Sequence, residues 1–96
     1  MRCSLKLRYD DIANVHFIYI DIFKDDSYSD YCVLTLSANK FEGEYRVYTD
    51  FQKKVIDYLI NDKVIEVIEG PIIYDGSPKH GIYKIRLSQF KMLELL

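Results

Sequence analysis

The side chains that could carry acid–base chemistry are few in this sequence and lie far apart along it. His16 and His80 are the two histidines among 96 residues. His16 lies in an apolar alternating segment, where an imidazole is usually packed or hydrogen-bonded, whereas His80 lies in a polar loop. Asp21 interrupts an apolar strand face, where a carboxylate is expected to find a basic or backbone partner. We therefore predict no catalytic residue, and keep a small hydrolase or nuclease based on His80 or Asp21 as a minor alternative.

The two cysteines, Cys3 and Cys32, do not have the spacing of a zinc site. Each lies in an apolar alternating run, with no CxxC pair or Cys/His cluster around it, so buried thiols are expected. The sequence also lacks the GxSxG order of a serine nucleophile and the order of glycines, lysine and hydroxyl residue of a phosphate loop. It thus predicts no metal site and no cofactor.

Alternation of apolar and polar residues predicts one mostly antiparallel sheet of five to seven β-strands. The predicted strands cover residues 3–9, 15–23, 31–37, 44–48, 63–69, 72–74 and 82–87. Residues 15–23 are apolar on both faces, which is typical of a central strand. A polar bend over residues 24–30, longer than a tight two-residue turn, and a loop over residues 75–81 close two hairpins. Gly70 and Pro71 are expected to interrupt the ladder after residue 69.

A single helix is predicted from residue 50 to about residue 61. Thr49 is a good N-cap, and Gln52 stands where its side chain can complete a capping box. The helix carries a wide apolar stripe that begins at Phe51 and suits packing on one face of the sheet. Residues 88–96 fit either a short helix capped by Ser88 or an extended tail. The predicted fold class is α+β, in one domain over residues 1–96.

Composition excludes several classes of protein. Hydrophobic residues make up 49% of the chain and charged residues 29%, which are values of a globular protein and not of a disordered or membrane protein. The net charge of −2 gives no overall attraction to nucleic acid. No apolar run approaches the ~18 residues of a membrane span, and basic residues interrupt the first segment, so we expect a cytoplasmic protein without membrane contact.

An acidic segment that contains tyrosines is the leading candidate for a working surface. It consists of Asp25, Asp26, Tyr28, Asp30 and Tyr31. Tyrosine supplies contact area at low entropic cost, and surrounding carboxylates attract a basic partner. The sequence thus favours a small non-enzymatic protein-binding module, such as an inhibitor, immunity or anti-defence protein that acts on a basic, nucleic-acid-handling protein. The wide helix stripe and the apolar chain end are also compatible with a homodimer.

The alternative is a nucleic-acid-binding protein that uses a basic strand face. Its residues would be Lys6, Arg8, Lys79, His80, Lys84 and Arg86. This interpretation requires the first and last main strands to lie side by side with the same face outward. The competing interpretation is that a glutamate on a neighbouring strand pairs with these basic side chains across the ladder. The candidates are Glu42, Glu44 and Glu66.

Overall fold

Hydrogen bonding divides the strands between two antiparallel sheets of three strands each. The computed structural model describes residues 2–89 and 91. The elements are β1 (Arg2–Asp10), β2 (Val15–Lys24), β3 (Ser27–Ser37), β4 (Glu42–Arg46), α1 (Asp50–Asn61), β5 (Ile65–Ile72) and β6 (Ile82–Leu87). The sheet orders are β1-β2-β3 and β4-β6-β5. The prediction of an α+β fold with mostly antiparallel strands and one helix is confirmed.

The strands form two sheets, where a single sheet was predicted. β4 follows β3 closely in sequence, yet it pairs with β6, and β3 pairs only with β2 among the described strands. Alternation within a strand fixes which side chains share a face, but it does not fix which strand lies next to it. The chain also divides into two compact units, with unit 1 ending at Phe41 and unit 2 beginning at Glu42. The single domain stays a prediction.

Unit 1 is a meander of three long strands joined by two short turns. The Asp10 carboxylate accepts hydrogen bonds from the backbone N–H groups of Ile12 and Ala13, both at 3.0 Å, and so closes the first turn. Asp25 and Asp26 form the second turn, with φ angles of 53° and 63°. Two consecutive residues at positive φ match the twist of a tight hairpin, and aspartate tolerates this region better than most residues.

The predicted bend over residues 24–30 is therefore wrong. β3 begins at Ser27, and Lys24 pairs with Ser27 directly across the two-residue turn. The polar residues of this segment led to the error, because composition alone does not distinguish a loop from an exposed strand. Tyr28 and Tyr31 consequently lie on a strand.

The two faces of the unit 1 sheet differ sharply in burial. On one face five aliphatic side chains of β2 and β3 are 0 to 2% exposed. They are Ile18, Ile20, Ile22, Leu34 and Leu36. Burial of each such side chain contributes about 1.5–3 kcal/mol. The intervening residues of the same strands belong to the other face, where none of the described side chains is classed as buried.

Helix α1 of unit 2 begins with the predicted capping box. The Thr49 hydroxyl accepts from the Gln52 N–H at 3.1 Å, and the Gln52 side-chain oxygen accepts from the Thr49 N–H at 3.1 Å. Val55, Ile56 and Leu59 are buried, and the helix contacts β5. Phe51 is 38% exposed, so the inward stripe is narrower than predicted.

The unit 2 sheet has its largest irregularity in β5. The strand was expected to end at residue 69, but it continues through Gly70 and Pro71 to Ile72, with register shifts on either side of Glu69. Gly70 has φ of +137°, and a Cβ there would lie 2.9 Å from the backbone oxygen of Ile82. Only glycine fits this close approach. Ile72 pairs with Ile82, so β5 and β6 form the predicted hairpin with a connection over residues 73–81.

The segment after β6 starts as the capped helix of the two predicted alternatives. The Ser88 hydroxyl oxygen accepts from the Lys91 N–H at 3.1 Å, and Gln89 and Lys91 are helical. Residues 90 and 92–96 of this prediction lie outside the described residues. Within the part of the chain that the structure describes, no helix has the length and apolarity needed to cross a membrane.

Candidate functional site

The exposed side of the unit 1 sheet, called here the open face, is formed by four rows of side chains that run across its three strands. Residues paired in an antiparallel register share a face, and every second residue returns to it. The rows are Arg8–Phe17–Thr35, Lys6–Tyr19–Val33, Ser4–Asp21–Tyr31 and Arg2–Phe23–Tyr28. Basic residues thus lie on β1, aromatic residues on β2, and two tyrosines on β3. Three chemical types meet on one surface.

The aromatic residues of β2 form the middle of the open face. Phe17, Tyr19 and Phe23 are all half-buried. The ring centroids of Phe17 and Tyr19 are 6.2 Å apart, and Phe23 meets Tyr28 edge-on with centroids 6.1 Å apart. Such contacts hold the rings in fixed orientations while their outer surfaces stay accessible.

The end of the open face next to the turn at Asp25 and Asp26, called here the hairpin end, carries the acidic segment with its tyrosines. Tyr28 and Tyr31 are 59% and 61% exposed. Local desolvation and the negative charges of Asp21 and Asp30 raise the pKa of the Tyr28 phenol, so these carboxylates act on the tyrosine directly. A bulge between Ile22 and Phe23 places both tyrosines on the same face in spite of their odd spacing. Of the five predicted partner-binding residues, Tyr28 and Tyr31 thus lie on the open face, and Asp25 and Asp26 form the turn. Asp30 pairs with Ile22, whose side chain belongs to the opposite face.

The basic residues of β1 differ in how their charge is balanced. Arg2 lies over the Phe23 ring at 4.5 Å from its centroid and 3.9 Å from Asp26, both at the hairpin end. Lys6 and Arg8 form no ion pair with any residue that the structure describes. They lie opposite Tyr19 and Phe17, respectively. The charge of these two side chains is therefore available to a partner.

Lys84 and Arg86 lie in a different chemical setting. They belong to β6, which pairs with β4 and β5 and not with β1, so the side-by-side arrangement required by the nucleic-acid alternative is absent. Arg86 Nε donates to Glu66 at 2.8 Å, and Lys84 Nζ lies 3.4 Å from Glu69. Glu42 and Glu44 lie opposite Arg86 and Lys84 on the other neighbouring strand. Each base is thus flanked by acids on both neighbouring strands.

Lys79 and His80 both contact one carboxylate. Lys79 Nζ donates to Asp50 Oδ1 at 2.9 Å, and His80 Nε2 lies 2.7 Å from the same oxygen. The hydrogen bonds from Lys79 and then His80 lower the pKa of Asp50. Since Asp50 is the first residue of α1, this contact ties the 73–81 connection to the helix start. Neither Lys79 nor His80 belongs to the sheet that contains β1.

The candidate catalytic residues of unit 1 do not converge. His16 and Asp21 differ by an odd number of positions along β2 and so lie on opposite faces of the sheet. His16 stacks on Phe41 with ring centroids 4.2 Å apart, and its Nε2 lies 3.1 Å from the Ala38 carbonyl oxygen. Because a carbonyl only accepts, Nε2 carries the hydrogen, and Nδ1 is buried without a partner among the described residues. This is a packed imidazole, as its strand position predicted.

Exposed aromatic side chains also occur in unit 2, where the setting is different again. Tyr48 and Tyr74 are 56% and 52% exposed. Hydrogen bonding to Tyr48, and more weakly to Tyr74, raises the pKa of Arg46. This pair has the same residue type and similar exposure as Tyr28 and Tyr31, but it surrounds a cation where they are surrounded by carboxylates.

Metal ligands and known relatives add no further site. Across residues 2–89 and 91, no three His, Cys, Asp or Glu side chains are grouped as a metal site would require. No disulfide joins Cys3 and Cys32, which lie opposite Ile22 and Ile20. Comparison with protein-family models, with curated proteins and with solved structures finds no match to this chain. The function must therefore be argued from the chemistry of the surfaces themselves.

The sequence pointed to Lys6 and Arg8 as candidate binding residues, but not to Arg2 or to the aromatic side chains that complete the open face. Phe17, Tyr19 and Phe23 were recognised as one side of a central strand, and that side was expected to be apolar interior. The signal that places them outside lies in the neighbouring strand, because Arg2, Lys6 and Arg8 occupy the same rows. Reading the two strands together in register would have identified this face.

Proposed function

We propose that this chain is a small non-enzymatic protein-binding module whose contact surface is the hairpin end of the open face. Its partner is a protein with a basic surface, and inhibition of a nucleic-acid-handling protein, as by an immunity or anti-defence protein, is the role that fits best. The observation that carries the proposal is the pair of exposed tyrosines, Tyr28 and Tyr31, held on a paired strand among carboxylates.

The composition of this surface supports a protein partner. Tyrosine is enriched at the centre of protein interfaces because it buries a large area with few rotatable bonds. Asp21, Asp30 and the two turn aspartates give the surroundings a negative charge, which speeds encounter with a basic protein and disfavours an acidic one. The edge-on contact of Tyr28 with Phe23 holds one ring in place before binding, so less entropy is lost on association.

The arrangement of the ionisable groups supports binding over catalysis. His16 and Asp21 lie on opposite faces of β2, and His80 is engaged by Asp50 in unit 2. General acid–base catalysis needs its groups within hydrogen-bonding reach of one substrate position. A surface that works by contact needs no such convergence.

The turn offers a variant that separates charge from structure. Asp25→Asn with Asp26→Gly places the preferred residue pair of this turn type at φ angles of 53° and 63° while removing two negative charges. Asp30→Lys adds a reversal on the neighbouring strand. The matched control is Tyr48→Ala with Tyr74→Ala in unit 2, where tyrosines of similar exposure are removed.

The experiment is affinity capture from the native host, followed by binding of the purified partner to each variant by isothermal titration calorimetry. Tyr28→Ala with Tyr31→Ala is expected to weaken binding at least ~100-fold, as hot-spot tyrosines do. The triple charge variant should bind more slowly and lose its salt dependence, while its melting temperature stays at or above that of the parent chain. Full binding by both variants, or equal loss in the Tyr48/Tyr74 control, would show that this surface is not the interface.

A further inference from the structure

We propose that the end of the open face away from the hairpin turn binds single-stranded nucleic acid, with Phe17 and Tyr19 stacking on bases and Lys6 and Arg8 contacting phosphates. These four residues are called the basic half of the open face. They are separate from the tyrosines and aspartates of the proposed protein interface. The inference therefore does not rest on that function.

The register places each of the two basic side chains beside an aromatic ring. Arg8 is paired with Phe17 and Lys6 with Tyr19 on adjacent strands, which lie about 4.8 Å apart. A nucleotide has a planar base and a charged phosphate joined by a sugar, so one nucleotide can meet a ring and a cation at the same time. Aromatic side chains on an open sheet, flanked by basic residues, are the usual platform for unpaired nucleic acid.

The exposed rings of this surface favour a single strand over a duplex. Successive rows on a strand are about 6.8 Å apart, since they are separated by two residues. Phe17 and Tyr19 can thus receive consecutive bases of an extended strand. Bases within a duplex are stacked on each other, so their planar faces are not accessible to the rings of this sheet.

Charge complementarity supports this occupant at the basic half and not elsewhere in the molecule. Lys6 and Arg8 have no ion pair among the described residues, whereas Lys84 and Arg86 are bound to Glu69 and Glu66. The next row contains Asp21, which repels phosphate and limits the site on the hairpin side. We therefore expect a short footprint of about two nucleotides with weak, salt-dependent affinity.

The test uses the full chain and a fluorescein-labelled oligo(dT) of about ten nucleotides, followed by fluorescence anisotropy at several salt concentrations. With two phosphates neutralised, the plot of log K against log salt should have a slope of about −1.4. Lys6→Ala with Arg8→Ala should weaken binding at least ~10-fold and bring the slope close to zero. Tyr19→Leu should weaken binding ~10-fold without changing the slope, because it removes a ring and no charge.

The matched control is Lys84→Ala with Arg86→Ala, which changes the net charge by the same amount. This control should bind the oligonucleotide like the parent chain. Tyr28→Ala with Tyr31→Ala should also bind it like the parent chain. The inference and the proposed protein interface are therefore tested by different variants, and one can fail without the other. Far-UV circular dichroism and thermal melts confirm that each variant is folded.

Four results would overturn the inference. One is no binding of the parent chain at low salt, and another is equal affinity for a duplex of the same sequence. A third is equal loss of affinity in the Lys84/Arg86 control. The fourth is polyglutamate binding as tightly as the oligonucleotide, which would show an acidic polypeptide as the ligand and charge alone as the attraction.

Discussion

The two sheets carry the same basic motif on strands with very different neighbours. Lys6 and Arg8 on β1 and Lys84 and Arg86 on β6 are both Lys-x-Arg with an aliphatic residue between. On β1 the bases face aromatic rings and have no acidic partner among the described residues, whereas on β6 glutamates flank them on both sides. The comparison shows that the role of a surface charge is decided across strands and not along one.

The largest expected effect separates the two faces of β2 itself. Ile20→Ala removes a side chain that is 0% exposed, and should lower the free energy of unfolding by about 2–5 kcal/mol. Tyr19→Leu, one residue away on the open face, should cost less than about 1 kcal/mol. Urea unfolding followed by circular dichroism measures both. A similar cost for the two substitutions would mean that the open face is part of the core.

Charge reversal should distinguish the two Lys-x-Arg motifs. Arg86→Glu places a third carboxylate between Glu42 and Glu66, and should lower the free energy of unfolding by about 1–2 kcal/mol. Arg8 shares its row with Phe17 and Thr35, so Arg8→Glu should change the free energy of unfolding by less than about 0.5 kcal/mol. Urea titrations at low and high salt check the assignment, since added salt should reduce only the first effect. Equal effects would contradict the difference between the faces.

The hairpin turn should become more stable when its aspartates are replaced. Asp25→Asn with Asp26→Gly places glycine at φ of 63°, where a residue with a Cβ atom is strained. The double substitution should therefore raise the free energy of unfolding by about 0.5 kcal/mol. The increase would show that these two charges are retained at some cost to stability. Thermal melts of the variant and the parent give the measurement, and a lower melting temperature would instead assign the aspartates a structural role.

The smallest effect concerns the ionisation of Tyr28. Local desolvation and the charge of Asp21 raise the pKa of its phenol above 10.0, so Asp21→Asn should move that pKa back toward its ordinary value. Because the raised pKa belongs to the folded state, the associated stability is present below pH 10.0 and lost as the pH rises through the folded pKa. Titration of the tyrosine ring signals by NMR follows Tyr28 directly. An unchanged pKa of Tyr28 in the variant would show that the charge of Asp21 does not act on this phenol.

Local signals of the sequence were sufficient for the helix and for the alternation of most strands. The Thr49 and Gln52 capping box forms because both partners lie within one turn of each other. Likewise β6 has the predicted bounds. Such features depend on neighbours in sequence, which a single chain displays.

Features that depend on distant neighbours could not be predicted in this way. The division into two sheets, the ion pairs of Lys84 and Arg86, and the exposure of Phe17 and Tyr19 all require the register between strands. The turn at Asp25 and Asp26 was misjudged for a different reason, since aspartates adopt positive φ without the glycine that usually indicates a tight hairpin. Pairing of the basic residues of β6 with glutamates was one of two interpretations of the sequence. The order of the residues alone did not decide between them.

Strand β2 divides its residues by parity, and this has a consequence for how the chain can change. The even-numbered residues Ile18, Ile20 and Ile22 hold the sheet together, while their odd-numbered neighbours meet solvent. Substitutions at odd positions can therefore alter which molecules adhere to the surface without disturbing the interior. An insertion of one residue would exchange the two sets, which makes the strand tolerant of replacement but intolerant of a change in length.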